Sequence, residues 1–87
     1  MKIEVEFHRC EAKIGSRVVR GLTYTELRLL ATLSSAVGTV SRAELFHRVW
    51  GVIRYRAGDR RVDVMVARLR SKTGLVISCV PGEGYRL

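Results

Sequence analysis

The spacing of apolar residues changes once along this chain, and that change limits the folds open to it. Ile3, Val5 and Phe7 alternate with Lys2, Glu4 and Glu6; Cys10, Ala12 and Ile14 then alternate with Arg9, Glu11 and Lys13. A period of two on this scale predicts strands with one buried face. Gly15 and Ser16 follow, a pair suited to a two-residue hairpin turn with glycine first. A third strand over "RVVRGL" leads into Thr23. Beyond it the period becomes three to four residues, that of helices buried along one side.

Thr23 stands three residues before Glu26, a capping box that satisfies open amides at a helix start. Leu27, Leu30 and Ala31, continued by Leu33 or Ser34, supply the buried stripe of this first helix, and Gly38 ends it or makes the following turn. The pattern repeats with Ser41 and Glu44 as a second capping box. Leu45, Phe46, Val49 and Trp50 form its apolar flank, and Gly51 closes it. The loop "GVIRYRAGD" exposes Arg54 and Arg56 around Tyr55, and Asp59 fits the N-cap of a third helix over about 60–72. Thr73 and Gly74 break that helix. "LVISCV" then reads as a β-branched strand, "PGEG" as a turn and "YRL" as a short returning strand. The fold class is α+β: a short N-terminal antiparallel sheet (1–22), a three-helix core (23–74) and a C-terminal β-hairpin (75–87).

Eighty-seven residues support one modest core and leave little room for a deep catalytic cleft. No Ser, Cys or Asp stands in a recognisable nucleophile motif, and Gly82-Glu83-Gly84 is a turn without a phosphate-loop context. An enzyme is therefore not expected. His8, Cys10, His47 and Cys79 lack the paired spacing of zinc ligands, so neither metal nor cofactor is expected. Cys10 and Cys79 each lie in an apolar or alternating run and read as small buried thiols of a reduced, cytoplasmic protein. No apolar run approaches the ~20 residues of a membrane span, and "MKIEVEF" is not the continuous apolar core of a signal peptide.

What remains is the charge. Sixteen Lys and Arg stand against eight Asp and Glu, a formal +8, with an isoelectric point near 10.5. Such a balance points to nucleic acid where the basic residues cluster. In "RRVDVMVARLR" (60–70), Val62, Met65, Val66 and Leu69 span one arc of a helical wheel. Arg60, Arg61, Val64, Arg68 and Ser71 gather on the opposite arc, with Asp63 and Arg70 on a flank. A valine between outward arginines does little for solubility. It suits a thymine methyl, with arginines beside it for guanine edges or phosphates. Helix, loop, outward basic helix and hairpin is the order of a winged helix-turn-helix, whose last helix enters the major groove. The same surface could instead dock an acidic protein, making the chain an interaction or adaptor module. RNA is disfavoured because the aromatic residues form no stacking platform.

"LTYTELRLLATL", "VSRAELFHRVWG", "DRRVDVMVARLRSKTG" and "VPGEGYRL", in this order, closely resemble the OmpR/PhoB-type winged-helix DNA-binding domain of bacterial transcription regulators. The resemblance runs from about Leu22 to Leu87. It implies double-stranded DNA as partner, direct-repeat half-sites bound by head-to-tail pairs, and control by an attached receiver or sensor domain. It also implies base or groove contacts from Arg61, Val64, Arg68 and Arg70, and phosphate contacts from Arg42, Trp50, Arg60 and Tyr85. The loop from Val52 to Gly58, with Arg54, Tyr55 and Arg56, matches the segment that approaches RNA polymerase in this family. Met65 stands where many relatives have His, and Ala67 where some carry a further arginine.

Pro81 occupies the position often held by a minor-groove arginine, and proline offers neither charge nor an amide donor. The wing is therefore expected to contribute little base readout. Pro81→Arg should tighten duplex binding and add a preference for narrow, A·T-rich flanks, measured by titration against flank-varied duplexes. Unchanged affinity and preference would mean that the hairpin never approaches the groove.

Overall fold

A computed structural model describes residues 2–51 and 54–87. Strands β1 (Ile3–Glu6), β2 (Glu11–Ile14) and β3 (Arg17–Arg20) form an antiparallel sheet in the order β1-β2-β3. Helices α1 (Tyr24–Ser35), α2 (Arg42–Trp50) and α3 (Arg61–Thr73) follow, and β4 (Ser78–Val80) pairs with β5 (Gly84–Arg86) as the wing. Ile14 faces Arg17 across the Gly15-Ser16 turn, the two-residue hairpin read from the sequence.

The connection between β1 and β2 differs from the reading. Phe7–Arg9 form a single 3₁₀ turn, and Cys10 ends it in the left-handed conformation, φ 52°. That backbone turns the Cys10 side chain outward, so Cys10 is exposed instead of buried. Past the kink the alternation resumes, with Ala12 and Ile14 in the core.

Both hydrogen bonds of the first capping box are present. Thr23 Oγ1 accepts from the Glu26 amide at 3.2 Å, and Glu26 Oε1 accepts from the Thr23 amide at 2.8 Å. Leu27, Leu30 and Leu33 line the core as expected, joined by Leu29, which the stripe did not include. Glu26 is also enclosed, and its carboxylate meets Lys72 Nζ of α3 at 2.7 Å. The helix stops at Ser35, before Gly38, which serves the following turn at φ 94°. At α2 only half of the expected box forms: Ser41 Oγ accepts from the Glu44 amide, while the Glu44 side chain turns to Arg48 at 3.6 Å.

Helix α3 begins one residue later than expected, with Arg60 at the N-cap position. Asp59 still serves the helix end from just upstream, its Oδ1 accepting from the Arg61 amide at 3.0 Å. The strand expected over 75–80 is reduced to Ser78–Val80. Leu75 and Ile77 are drawn into the core, and the Ile77 carbonyl accepts from the Arg70 guanidinium where a strand partner would stand. Cys79 is likewise exposed, on a wing of only two strands, with its sulfur 3.6 Å from Arg42 Nη2.

The core runs from the sheet through all three helices to Tyr85 of the wing. An isolated bridge seals the far end: the Val40 amide donates to Tyr85 O at 2.8 Å and the Tyr85 amide to Val40 O at 2.9 Å. This close approach requires a glycine at 84, where φ is 150°. A Cβ there would overlap the Val40 carbonyl oxygen and lie 2.8 Å from Ser41 Cα. Gly84→Ala should therefore destabilise the fold by at least about 2–3 kcal/mol. Gly82→Ala, with left-handed φ but open space around it, should lose only ~1–2 kcal/mol. Urea midpoints of the two variants check the order.

Candidate nucleic-acid interface

The buried arc of α3 is the one its apolar spacing predicted. Val62, Met65, Val66 and Leu69 pack inward, with Thr73 at the end of the helix, which turns the opposite arc to solvent. Val64 stays 46% exposed, and Arg61, Ala67 and Arg68 are exposed with it. Arg60, Arg61, Val64 and Arg68 line one shallow, open groove, completed by Trp50 at the end of α2 and Thr25 at the start of α1. Five of the eight residues expected to touch bases or phosphates thus share a single surface. Thr25 was absent from that expectation; its place in the first turn of α1 carries no signal of its own in the sequence.

The arginines of this surface differ in freedom. Among the described residues no hydrogen bond or ion pair engages the side chains of Arg60 and Arg68. Arg61 instead folds back: its guanidinium pairs with Asp59 at 3.0 Å and lies 4.9 Å from the Phe46 ring centre and 6.0 Å from that of Trp50. A cation over aromatic faces is held electrostatically as well as by packing. Arg61 must leave Asp59 before it can reach an external acceptor.

The other three expected contact residues, Arg42, Arg70 and Tyr85, converge at the root of the wing. Arg42 Nε donates to Asp63 Oδ1 at 2.9 Å, and Arg42 Nη2 reaches the Tyr85 hydroxyl at 3.5 Å. The Tyr85 hydroxyl donates to the same Asp63 oxygen. Arg42 and Arg70 both lie over the Tyr85 ring, 4.9 and 5.7 Å from its centre, and Arg70 donates to the Ile77 carbonyl. Burial pushes the Asp63 carboxyl up, but the Tyr85 hydroxyl and the Arg42 guanidinium outweigh it and hold the group below its ordinary range. Burial, reinforced by the Asp63 hydrogen bond, raises the Tyr85 phenol. Tyr85 is only 5% exposed, so what it can offer a ligand is the edge of this cluster. Asp63 itself was read only as a flank residue. The available signal was that it is the one acid within the sequence of α3.

In the loop, Arg54 and Arg56 are exposed, and Tyr55 is partly buried with its ring 5.4 Å from Phe46. Tyr55 thereby pins the loop to α2. Val52 and Ile53, which begin the loop read from the sequence, lie outside the described residues. Among the described residues no three His, Cys, Asp or Glu side chains gather as a metal site.

A family model described as "Transcriptional regulatory protein, C terminal" matches residues 18–87. The transcriptional regulatory protein CseB of Streptomyces coelicolor is 49% identical over 88 residues, covering 98% of this chain. The chain spans 36% of that relative's length. Among solved structures, the RstA DNA-binding domain of Klebsiella pneumoniae, in complex with the RstA box, superposes with a TM-score of 0.81 at 25% identity. That match covers 98% of this chain and 89% of the other. The DNA-binding domain of CpxR from E. coli gives 0.80 at 29% identity, covering 98% and 88%.

Asp59, Asp63 and Glu26 are all held below their ordinary carboxyl values. The Arg61 amide and side chain act on Asp59, Tyr85 and Arg42 act on Asp63, and Lys72 and Thr23 act on Glu26 against its burial. A depressed carboxyl contributes its stability above the unfolded value, about pH 4, and loses it as pH falls through the lower folded value. Urea midpoints should therefore hold from neutral pH to about 4.5 and fall below it. Asp63→Asn should start lower at pH 7 and fall less steeply in acid; an identical acid slope would contradict the assignment.

Proposed function

Because the chain belongs to the family of transcriptional-regulator C-terminal domains, of OmpR/PhoB type, we propose that it binds double-stranded DNA to regulate transcription, with α3 in the major groove. The observation that carries this reading is the outer arc of α3. A half-exposed valine stands between Arg60 and Arg68, whose side chains have no partner among the described residues, on the outer arc of a helix whose opposite arc is closed into the core. An apolar side chain flanked by free guanidinium groups fits a major-groove edge, which offers a thymine methyl beside guanine acceptors. The RstA domain, with its bound RstA box, is a relative of the same fold that engages DNA, and the chemistry of this surface extends that behaviour to the present chain.

Roles follow from freedom and position. Arg68 and Val64 read base edges, and Arg61 joins them once exchanged from Asp59. Arg60 and Trp50 face the phosphates, with Arg42, Tyr85 and Arg70 acting at the wing root. Helix N-termini and exposed guanidinium groups fix register on the backbone and carry no sequence information themselves. Two copies bind direct-repeat half-sites head to tail, and the loop carrying Arg54, Tyr55 and Arg56 faces RNA polymerase. No described helix is long and apolar enough to cross a membrane, and the cytoplasm is the compartment in which this function operates.

Arg68→Ala should lose ~1–3 kcal/mol on a duplex selected by the wild type from a random pool, and should relax the choice at one base position. Arg60→Ala should weaken selected and random duplexes by similar factors and shrink the slope of log affinity against log salt by about one unit. Single-stranded and acidic-protein competitors complete the titration. A flat salt response, or displacement by the acidic protein alone, would remove DNA as the partner.

A further inference from the structure

We propose that Asp63 is the positioning residue of this interface: its carboxylate couples α3 to the wing and to the start of α2, and so raises the preference for one duplex sequence over others. The proposal rests on the reading of duplex DNA as ligand. Asp63 is the only acid among Arg61–Thr73, a segment with three arginines and a lysine. Facing a phosphate surface, a negative charge opposes binding. A neutral side chain would serve simple affinity better.

Its geometry shows what the charge does. A single oxygen, Oδ1, accepts from Arg42 Nε and from the Tyr85 hydroxyl, residues 21 and 22 positions away on opposite sides in the chain. Through Arg42 it grips the first residue of α2. Through Tyr85 it grips β5, whose backbone bridges Val40. The guanidinium edge formed by Nε and Nη2 is fixed inward against Asp63, Tyr85 and the Cys79 sulfur at 3.6 Å. The plane of Arg42 is thereby set before any ligand arrives, and ordering completed in advance is not repeated on binding. A relaxed cluster would let the wing and α2 shift relative to α3. Contacts that depend on register would suffer, while contacts that need only positive charge would not.

These two effects of removing the charge have opposite signs on different ligands. Asp63→Asn should weaken binding to a duplex selected by the wild type roughly tenfold. Binding to a random-sequence duplex of equal length should hold or tighten, because a repelling charge is gone. Tyr85→Phe keeps the ring beneath Arg42 and Arg70 and removes only the hydroxyl, so it should lower the selected-to-random ratio in the same direction by less. A purely structural defect reduces the folded fraction and divides both affinities by one factor. An unchanged ratio in both variants therefore overturns the proposal. A DNA-free readout separates it from the functional reading: amide exchange at Val40 and Tyr85 should accelerate in Asp63→Asn relative to Leu30 and Val66. Unchanged exchange overturns the proposal alone, whereas a wild type that binds no duplex overturns the DNA reading and this proposal with it.

Discussion

Tyr85 joins the end of the chain to its middle in two ways at once. Its backbone amide and carbonyl pair with Val40 just before α2, and its hydroxyl reaches Asp63 on α3. The rest of the structure depends on this joint. The wing is a two-stranded ribbon of three residues a side, far too short to stand alone. Docked through Tyr85, with Gly84 letting the backbones meet, it becomes a third wall beside the helix-turn-helix. Arg42 and Arg70 stack over the same ring, so the joint also decides where two cations of the basic surface lie.

The basic surface is consequently divided between prepared and free groups. Arg42, Arg61 and Arg70 are each held by a carboxylate, a carbonyl or an aromatic face, and little rotamer freedom is left for a ligand to take away. Arg60 and Arg68 keep theirs and must order on contact, at a cost of up to ~2 kcal/mol each in side-chain entropy. Val64 needs no such freedom, since a β-branched side chain in a helix has essentially one rotamer.

Glu26 supplies the matching constraint at the opposite end of the helices. Its carboxylate caps α1 through Thr23 and pairs with Lys72 near the end of α3. A buried carboxylate oxygen shared between the Thr23 amide and the Lys72 ammonium ties α1 to α3 at a fixed point, which apolar packing alone leaves adjustable. The orientation of α3 is therefore held near both of its ends by carboxylates, Asp63 towards the start and Glu26 on Lys72 towards the finish.

The sequence by itself determined the elements and the sidedness of α3. Periodicity depends only on neighbours three or four positions away, so Val62, Met65, Val66 and Leu69 announced the buried arc and left Val64 and Arg68 outside. Local capping was legible for the same reason at Thr23 and Ser41, and the Gly15-Ser16 turn needed nothing beyond its own backbone. Only the tertiary structure decided which arginines are free, why Cys10 and Cys79 lie outside the core, and why the strand after Gly74 is shortened at Ile77. It alone made Asp63 a junction. The junction depends on side chains tens of residues apart meeting at hydrogen-bond distance, Arg42 with Asp63 and Tyr85, and the shortened strand on the Arg70 side chain reaching the Ile77 carbonyl seven positions on. A linear pattern carries no record of such meetings, because Arg42, Asp63 and Arg70 taken alone are ordinary polar residues on ordinary flanks.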